Sequence, residues 1–164
     1  MVTNVTLTLT PSSGTLAARV FENPNIGLKL TLFYDIELPL QPVEYDGEVE
    51  HTCVRLEFIQ FGLVGWRDLV GQSFTFPRNP TPGYVDSSVY LAGAHNPVDL
   101  GTIRFGELNG NALPASIDLQ LDFAYEGPEQ LGIMAASWSV VLMFDPAQID
   151  AAVTEARLLT NSTA

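Results

Sequence analysis

The chain has 164 residues, 46% of them apolar and 16% charged, and its 19 acidic and seven basic side chains give a formal net charge of −12 at pH 7. This composition is too apolar for intrinsic disorder, and the length suits a single domain over residues 1–164. Because phosphate groups repel carboxylates, the charge argues against nucleic acid and an anionic membrane as partners and favours a basic protein.

Cys53 is the one cysteine of the chain, so no internal disulfide can form. The first ten residues, MVTNVTLTLT, lack the basic stretch and the continuous apolar run of a signal peptide. A run of about 18 apolar residues, which a transmembrane helix needs, is also missing. These observations predict a cytoplasmic protein.

Apolar and polar residues alternate with a period of two along much of the chain, which is the pattern of half-buried β-strands. The alternation is clearest in residues 28–38 and 117–125, where one face carries aliphatic and aromatic side chains. Residues 133–144 are nearly all apolar around Trp138, which predicts a central strand covered on both faces. In chain order, about nine strands are predicted, at residues 5–10, 15–22, 28–38, 51–61, 73–76, 85–91, 102–105, 117–125 and 133–144.

Two dipeptides carry strong turn chemistry. Asp46-Gly47 suits the two positive φ angles of a type I′ hairpin turn, and it lies between the predicted strands 28–38 and 51–61. Asn109-Gly110 offers a similar turn before the strand at 117–125. We therefore expect hairpin connections at both places.

The end of the chain changes to a helical period, which predicts one amphipathic helix over about residues 146–159. Asp145 is the expected N-cap, Pro146 suits the first helical position, and Gln148 completes a capping box. The fold class is therefore all-β, with this helix added at the C-terminus. An antiparallel β-sandwich is the preferred architecture and a β-barrel is the alternative, since strands alternate inward and outward in both.

Acidic residues crowd the predicted hairpin tip, and their oxygens are the ligand type that Ca²⁺ prefers. These candidate metal ligands are Glu44, Asp46, Glu48 and Glu50. The spacing is not that of an EF-hand loop, and acidic side chains at a hairpin tip also prevent edge-to-edge aggregation. We therefore expect no cofactor, with a divalent cation as the alternative.

Polar, proline and aromatic residues gather between residues 71 and 99, a composition typical of binding loops. The candidate ligand or partner surface consists of Arg78, Asn79, Tyr84, Asp86, His95, Asn96 and Asp99. His95 and Asp99 could form a pair for proton transfer, whereas a local turn at 96–99 with a surface histidine is the alternative.

Trp66 and Arg67 complete the candidate surface as an aromatic and cationic anchor, although a tryptophan here could instead close the end of a β core. His51 and Cys53 share one face of a predicted strand. Two ligands are too few for zinc, so a buried thiol beside an edge histidine is the simpler interpretation.

The sequence contains no phosphate-binding glycine loop, no Gly-x-Ser-x-Gly and no His-Glu-x-x-His. With the −12 charge, this favours a non-catalytic acidic interaction module that binds a basic protein. A second hypothesis is a barrel that holds a small apolar ligand between residues such as Tyr34, Phe123 and Trp138. A third is an enzyme with a His/Asp loop site. Exposed strand edges could also pair between two copies of the chain, so a homodimer is a further possibility.

Overall fold

The computed structural model describes residues 7–127 and 129–162. The strands are β1 (Gly14–Asn23), β2 (Leu28–Pro39), β3 (Val43–Tyr45), β4 (Glu48–Glu50), β5 (Cys53–Ile59), β6 (Ser73–Thr75), β7 (Asp86–Leu91), β8 (Ala94–Phe105), β9 (Ala112–Asp122) and β10 (Ile133–Met143). The α-helices are α1 (Trp66–Leu69) and α2 (Pro146–Ser162). In this described part of the chain, no helix combines the length and the apolar character needed to cross a bilayer.

Seven strands pair in a closed circuit. From β8 the pairing runs through β7, β5, β2, β1, β10 and β9 and returns to β8, while β6 extends from the second half of β8. The pairs of this circuit are antiparallel except β1 with β10. The all-β class and the C-terminal helix are confirmed, and the closed circuit corresponds to the barrel alternative. The hairpin β3–β4 forms a separate small sheet.

Every second side chain along the strands points into the circuit and packs in its interior, as expected for half-buried strands. On β2 the side chains of Tyr34, Ile36 and Leu38 are 0% exposed, and on β9 every second residue from 113 to 121 is buried. The expectation that β10 is covered on both faces is wrong, because Ile133 and Met143 are 59% and 46% exposed. A closed circuit has one interior, so an apolar run does not imply two covered faces.

Several element boundaries differ from the predictions. Residues 7–10 lie outside the strands, and residues 5 and 6 lie outside the described residues. Residues 94–101 join the predicted strand 102–105 in β8, after a turn at Ala92 and Gly93 with φ of 54° and 76°. Alanine rarely adopts a positive φ, so the sequence did not indicate a turn at Ala92. The predicted turn at Asp46-Gly47, with φ of 52° and 78°, is confirmed.

The strand pair with the fewest paired residues in the circuit is β1 with β10. The two strands share only the parallel pairs of Gly14 with Leu142 and of Thr15 with Met143. A Cβ atom on Gly14 would lie 2.7 Å from the carbonyl oxygen of Glu37 and 3.0 Å from Leu142 Cδ2. Glycine is therefore required here because three strands approach one another too closely for a side chain.

Beyond this pair, helix α2 replaces the missing strand neighbour of β1. The backbone N–H of Ala18 donates to Gln148 Oε1 at 3.1 Å, and Gln148 Nε2 donates to the carbonyl oxygen of Ala18. The side-chain amide thus offers the same donor and acceptor as a peptide group of an adjacent strand. Asp145 accepts the N–H of Ala147 as the predicted cap, but Gln148 serves the strand and not the predicted capping box.

Substitution of Gly14 by alanine is expected to destabilise the fold by about 1–3 kcal/mol, the usual cost of overpacking, because the new methyl group meets backbone. The matched control is Gly101→Ala, whose Cβ would lie at an ordinary 3.5 Å from the nearest atom. Urea denaturation of both variants measures the difference. Equal midpoints would show that the β1–β10 junction tolerates a side chain.

Substitution of Gln148 by alanine removes two hydrogen bonds from the buried Ala18 backbone and should cost about 1–2 kcal/mol of unfolding free energy. Gln72→Ala is the control, since Gln72 is exposed and its side chain lies away from this junction. Its effect should stay within about 0.5 kcal/mol. A Gln148→Ala variant as stable as the control contradicts the role of this amide in closing the circuit.

Candidate functional site

The proposed histidine–aspartate pair does not form. His95 and Asp99 both project outward from β8, four residues apart, which places them about 13 Å apart along the strand. Proton transfer needs hydrogen-bond reach or one bridging water. Asp99 Oδ1 instead accepts the backbone N–H of Asn79 at 3.0 Å and so holds the loop after β6. The expectation of a loop or turn at 96–99 is also wrong, because these residues belong to a strand.

Asn96 is a structural residue and not part of a surface. Its side chain is 0% exposed, and Nδ2 lies 3.0–3.2 Å from the carbonyl oxygens of Val89, Leu91 and Ala94. These contacts join β7, the following turn and β8. A Cβ atom on Gly127 would lie 2.3 Å from Asn96 Oδ1, so the segment after β9 packs directly on this amide.

The remaining residues of the predicted surface are dispersed. Arg78, Asn79 and Tyr84 lie on the exposed connection between β6 and β7. Asp86 lies at the start of β7, opposite Glu57 of β5. The structure therefore does not gather the residues of segment 71–99 into one cleft.

Trp66 closes one end of the core and is not an exposed anchor. It is 8% exposed, its ring centroid lies 5.2 Å from that of Phe144, and its Nε1 donates to Asp150 Oδ1 at 3.1 Å. The guanidinium carbon of Arg67 lies over the indole of Trp66, 4.0 Å from the ring centroid. Beneath them, burial and the nearby carboxylates of Asp68 and Asp150 raise the pKa of Tyr34, whose hydroxyl donates to a backbone carbonyl.

A groove of about 650 Å³ lies on the outer face of strands β2, β5, β7 and β8, and we call it the histidine groove. Strand pairing creates it, since Cys53 lies opposite Pro39 of β2, while Tyr90 of β7 lies opposite His95 of β8. The lining residues are Pro39, Leu40, His51, Thr52, Cys53, Arg55, Glu57, Ser88, Tyr90 and His95. Both histidines and the single cysteine of the chain thus face one groove.

Arg55 is the cation of the histidine groove. Its Nε lies 3.5 Å from the Glu37 carboxylate, and Ser88 is its direct neighbour on β7. Hydrogen bonding with the Cys53 side chain, followed by the charges of Cys53 and Glu37, raises the pKa of the guanidinium. The prediction of a buried Cys53 is wrong, because its side chain is half-buried on the groove face.

A second polar surface, which we call the acidic end, combines the β3–β4 hairpin with the segment that follows β9. The Gln130 side chain donates to the Tyr45 hydroxyl at 2.7 Å and joins these two parts, 85 residues apart in sequence. The exposed carboxylates of the acidic end are Glu44, Asp46, Glu48, Glu126 and Glu129. A cleft of about 490 Å³ between the hairpin and residues 8–10 is lined by Glu44 and Asp46, together with threonine hydroxyls.

The four acidic residues of the predicted metal site are separated by the hairpin geometry. Glu44 pairs with Val49 and Tyr45 pairs with Glu48, so Glu44 and Glu48 lie on opposite faces of the hairpin. Glu50 accepts the backbone N–H of Ala92 through both carboxylate oxygens, at 3.0 and 3.2 Å. Over residues 7–127 and 129–162, no group of three or more His, Cys, Asp or Glu side chains is arranged to hold a metal ion.

Most of the residues that build the two surfaces were not singled out in the sequence. His51 and Cys53 share a face through their spacing of two, but Arg55, Ser88 and Tyr90 join them only through strand pairing. At the acidic end the sequence singled out Glu44, Asp46 and Glu48 but not Glu126 or Glu129. A further signal was that residues 30–54 and 105–156 contain no Lys or Arg.

Asn96→Ala is expected to lower the free energy of unfolding by about 2–3 kcal/mol, because buried carbonyl groups lose their donor. His95→Ala, its neighbour on the exposed face, should cost only about 0.2–1 kcal/mol, the range of a cross-strand pair. Thermal or urea unfolding of both variants measures this. Equal losses would contradict the structural role of Asn96.

Comparison of the chain with models of protein families, with curated proteins and with solved structures finds no match. A function is therefore argued below from the chemistry of the acidic end and of the histidine groove.

Proposed function

We propose that this protein is a non-catalytic binding module whose acidic end holds a basic segment of a protein partner. The observation that carries the proposal is that exposed carboxylates from two cation-free segments, distant in sequence, lie on both faces of the β3–β4 hairpin and on the segment joined to it by Gln130. Opposite charges attract across a Debye length of about 8 Å at physiological salt, so such a surface steers a basic partner toward itself.

The location of the ion pairs supports this function. Among the described residues, three ion pairs join arginine to a carboxylate: Arg19 with Asp35, Arg55 with Glu37 and Arg104 with Asp118. These pairs lie on the strands of the large sheet and not at the acidic end. Lysine or arginine of a partner would therefore meet carboxylates that no described arginine or lysine of this chain pairs with.

Exposed apolar groups among the carboxylates add contact area. Val49 is 60% exposed and Tyr125 is 73% exposed, and each is next in sequence to an acidic residue of the acidic end. An aromatic face can hold a lysine or arginine side chain through a cation–π contact. The cleft beside Glu44 and Asp46 offers carboxylate and hydroxyl acceptors for a second basic side chain.

The packing of the interior favours surface binding over the second hypothesis, an apolar ligand inside the barrel. Tyr34 and Phe123, which that hypothesis uses as cavity walls, are each 0% exposed and pack within the main core. Trp138 is partly buried against the same core. Side chains occupy the positions that such a ligand would need.

The test measures binding of a synthetic peptide of alternating lysine and serine by calorimetry at several salt concentrations. Affinity for the unaltered protein should fall as salt rises. The triple variant Glu44→Gln, Asp46→Asn, Glu48→Gln should bind roughly tenfold more weakly, if each carboxylate contributes about 0.5 kcal/mol. Asparagine at position 46 also suits the type I′ turn, so the hairpin geometry is kept.

A matched control removes the same charge elsewhere, through Glu22→Gln, Glu107→Gln and Glu155→Gln, which are exposed and lie outside the acidic end. Its affinity should stay within about twofold of the unaltered protein, because screening weakens distant charges. Equal weakening of both triple variants would mean that net charge alone attracts the peptide. Absence of binding at low salt would also reject the proposal.

A further inference from the structure

We propose that the histidine groove is a second binding site, which takes a small molecule carrying an oxyanion, a carboxylate or phosphate group, next to a flat apolar part. This proposal rests on residues separate from the acidic end and does not depend on the function proposed above.

The groove gathers basic side-chain types in a strongly acidic chain. Arg55, His51 and His95 line it, which is three of the nine Arg, Lys and His side chains in the whole sequence. The groove therefore offers one guanidinium and two imidazole rings to one ligand.

Neighbouring groups provide further donors and an apolar wall. Ser88 and Tyr90 add hydroxyl groups to the lining, and Tyr90 packs edge-on against His95 with ring centroids 4.9 Å apart. Pro39 and Leu40 form an apolar side of the same groove. A planar ligand can thus lie against Tyr90 and Pro39 while its oxyanion meets the cationic groups.

Arg55 keeps donors for a ligand despite its ion pair. Its contact with Glu37 is made through Nε at 3.5 Å, and a guanidinium carries five N–H donors in all. Arginine is well suited to carboxylate and phosphate because its planar fork can donate two parallel hydrogen bonds. We therefore assign the oxyanion to Arg55, with the two imidazoles beside it.

Carboxylates around the groove limit its attraction for an anion. They are Glu37, Glu50, Glu57, Asp86 and Asp99. Glu37 is paired with Arg55, and backbone N–H groups donate to Glu50 and Asp99. Glu57 and Asp86 remain to oppose an anion, so the hydrogen bonds donated by Arg55 have to outweigh their repulsion.

The chain supplies its own reporters for a test. Its two imidazoles and its single thiol all line the groove, so histidine ring NMR signals and alkylation of Cys53 both report on this site. Benzoate and phenyl phosphate are the probes, and acetate and inorganic phosphate test the oxyanions without the ring. Benzamide has the shape of benzoate without its charge.

We expect benzoate or phenyl phosphate to shift both imidazole signals to saturation and to protect Cys53 from iodoacetamide. Arg55→Gln should weaken binding about tenfold, as loss of a charge-assisted hydrogen bond does. Arg78→Gln removes the same charge from the exposed β6–β7 connection and should leave binding unchanged.

Which probe binds more tightly distinguishes a carboxylate ligand from a phosphate ligand. Three results would overturn the proposal: imidazole signals that respond to none of the probes, benzamide binding as tightly as benzoate, or equal loss of affinity in Arg55→Gln and Arg78→Gln. Because both variants alter exposed side chains, their circular dichroism spectra should match that of the unaltered protein.

Discussion

Closure of the strand circuit between β1 and β10 is the constraint on which the rest of the structure depends. The two strands share only two residue pairs, and past that point the backbone of Ala18 has a strand neighbour in β2 but none on the side of β10. Unpaired peptide groups at a buried position are costly, and an open sheet edge invites association with other chains. The Gln148 side chain supplies the missing donor and acceptor, which fixes helix α2 against β1 and covers this part of the core. Gly14 permits the close approach that makes the junction possible.

A closed circuit with a filled interior directs recognition to the outer surface. Large side chains such as Tyr34 and Phe123 are fully buried in the core, and the exposed polar groups lie at outward-facing positions and on the hairpin. Two surfaces of opposite character result. The acidic end combines carboxylates with an exposed tyrosine, while the histidine groove brings together the chain's histidines around Arg55. The two proposals use different residues, so the proposed basic protein segment and the proposed small anion would not compete for the same side chains.

Prediction succeeded where a property is carried by neighbouring residues. The alternation in 28–38 and 117–125 located β2 and β9, and Asp46-Gly47 located a hairpin turn, because periodicity and turn preferences are local. It failed at β8, where Asn96 and Pro97 have the composition of a turn but are held in a strand by pairing with β7. It also failed at β10, since an apolar run does not reveal how many of its faces are covered.

The sequence by itself determined the all-β class, the C-terminal helix, the core-facing side of the long strands and the strong negative charge, because each depends on composition or on short-range period. Only the tertiary structure decided which strands are neighbours, and with them both candidate sites. Tyr90 meets His95 and Tyr45 meets Gln130 through contacts that no local pattern encodes. Strand pairing is set by the total free energy of burying one shared core and satisfying its backbone groups, a property of the whole chain and not of any segment.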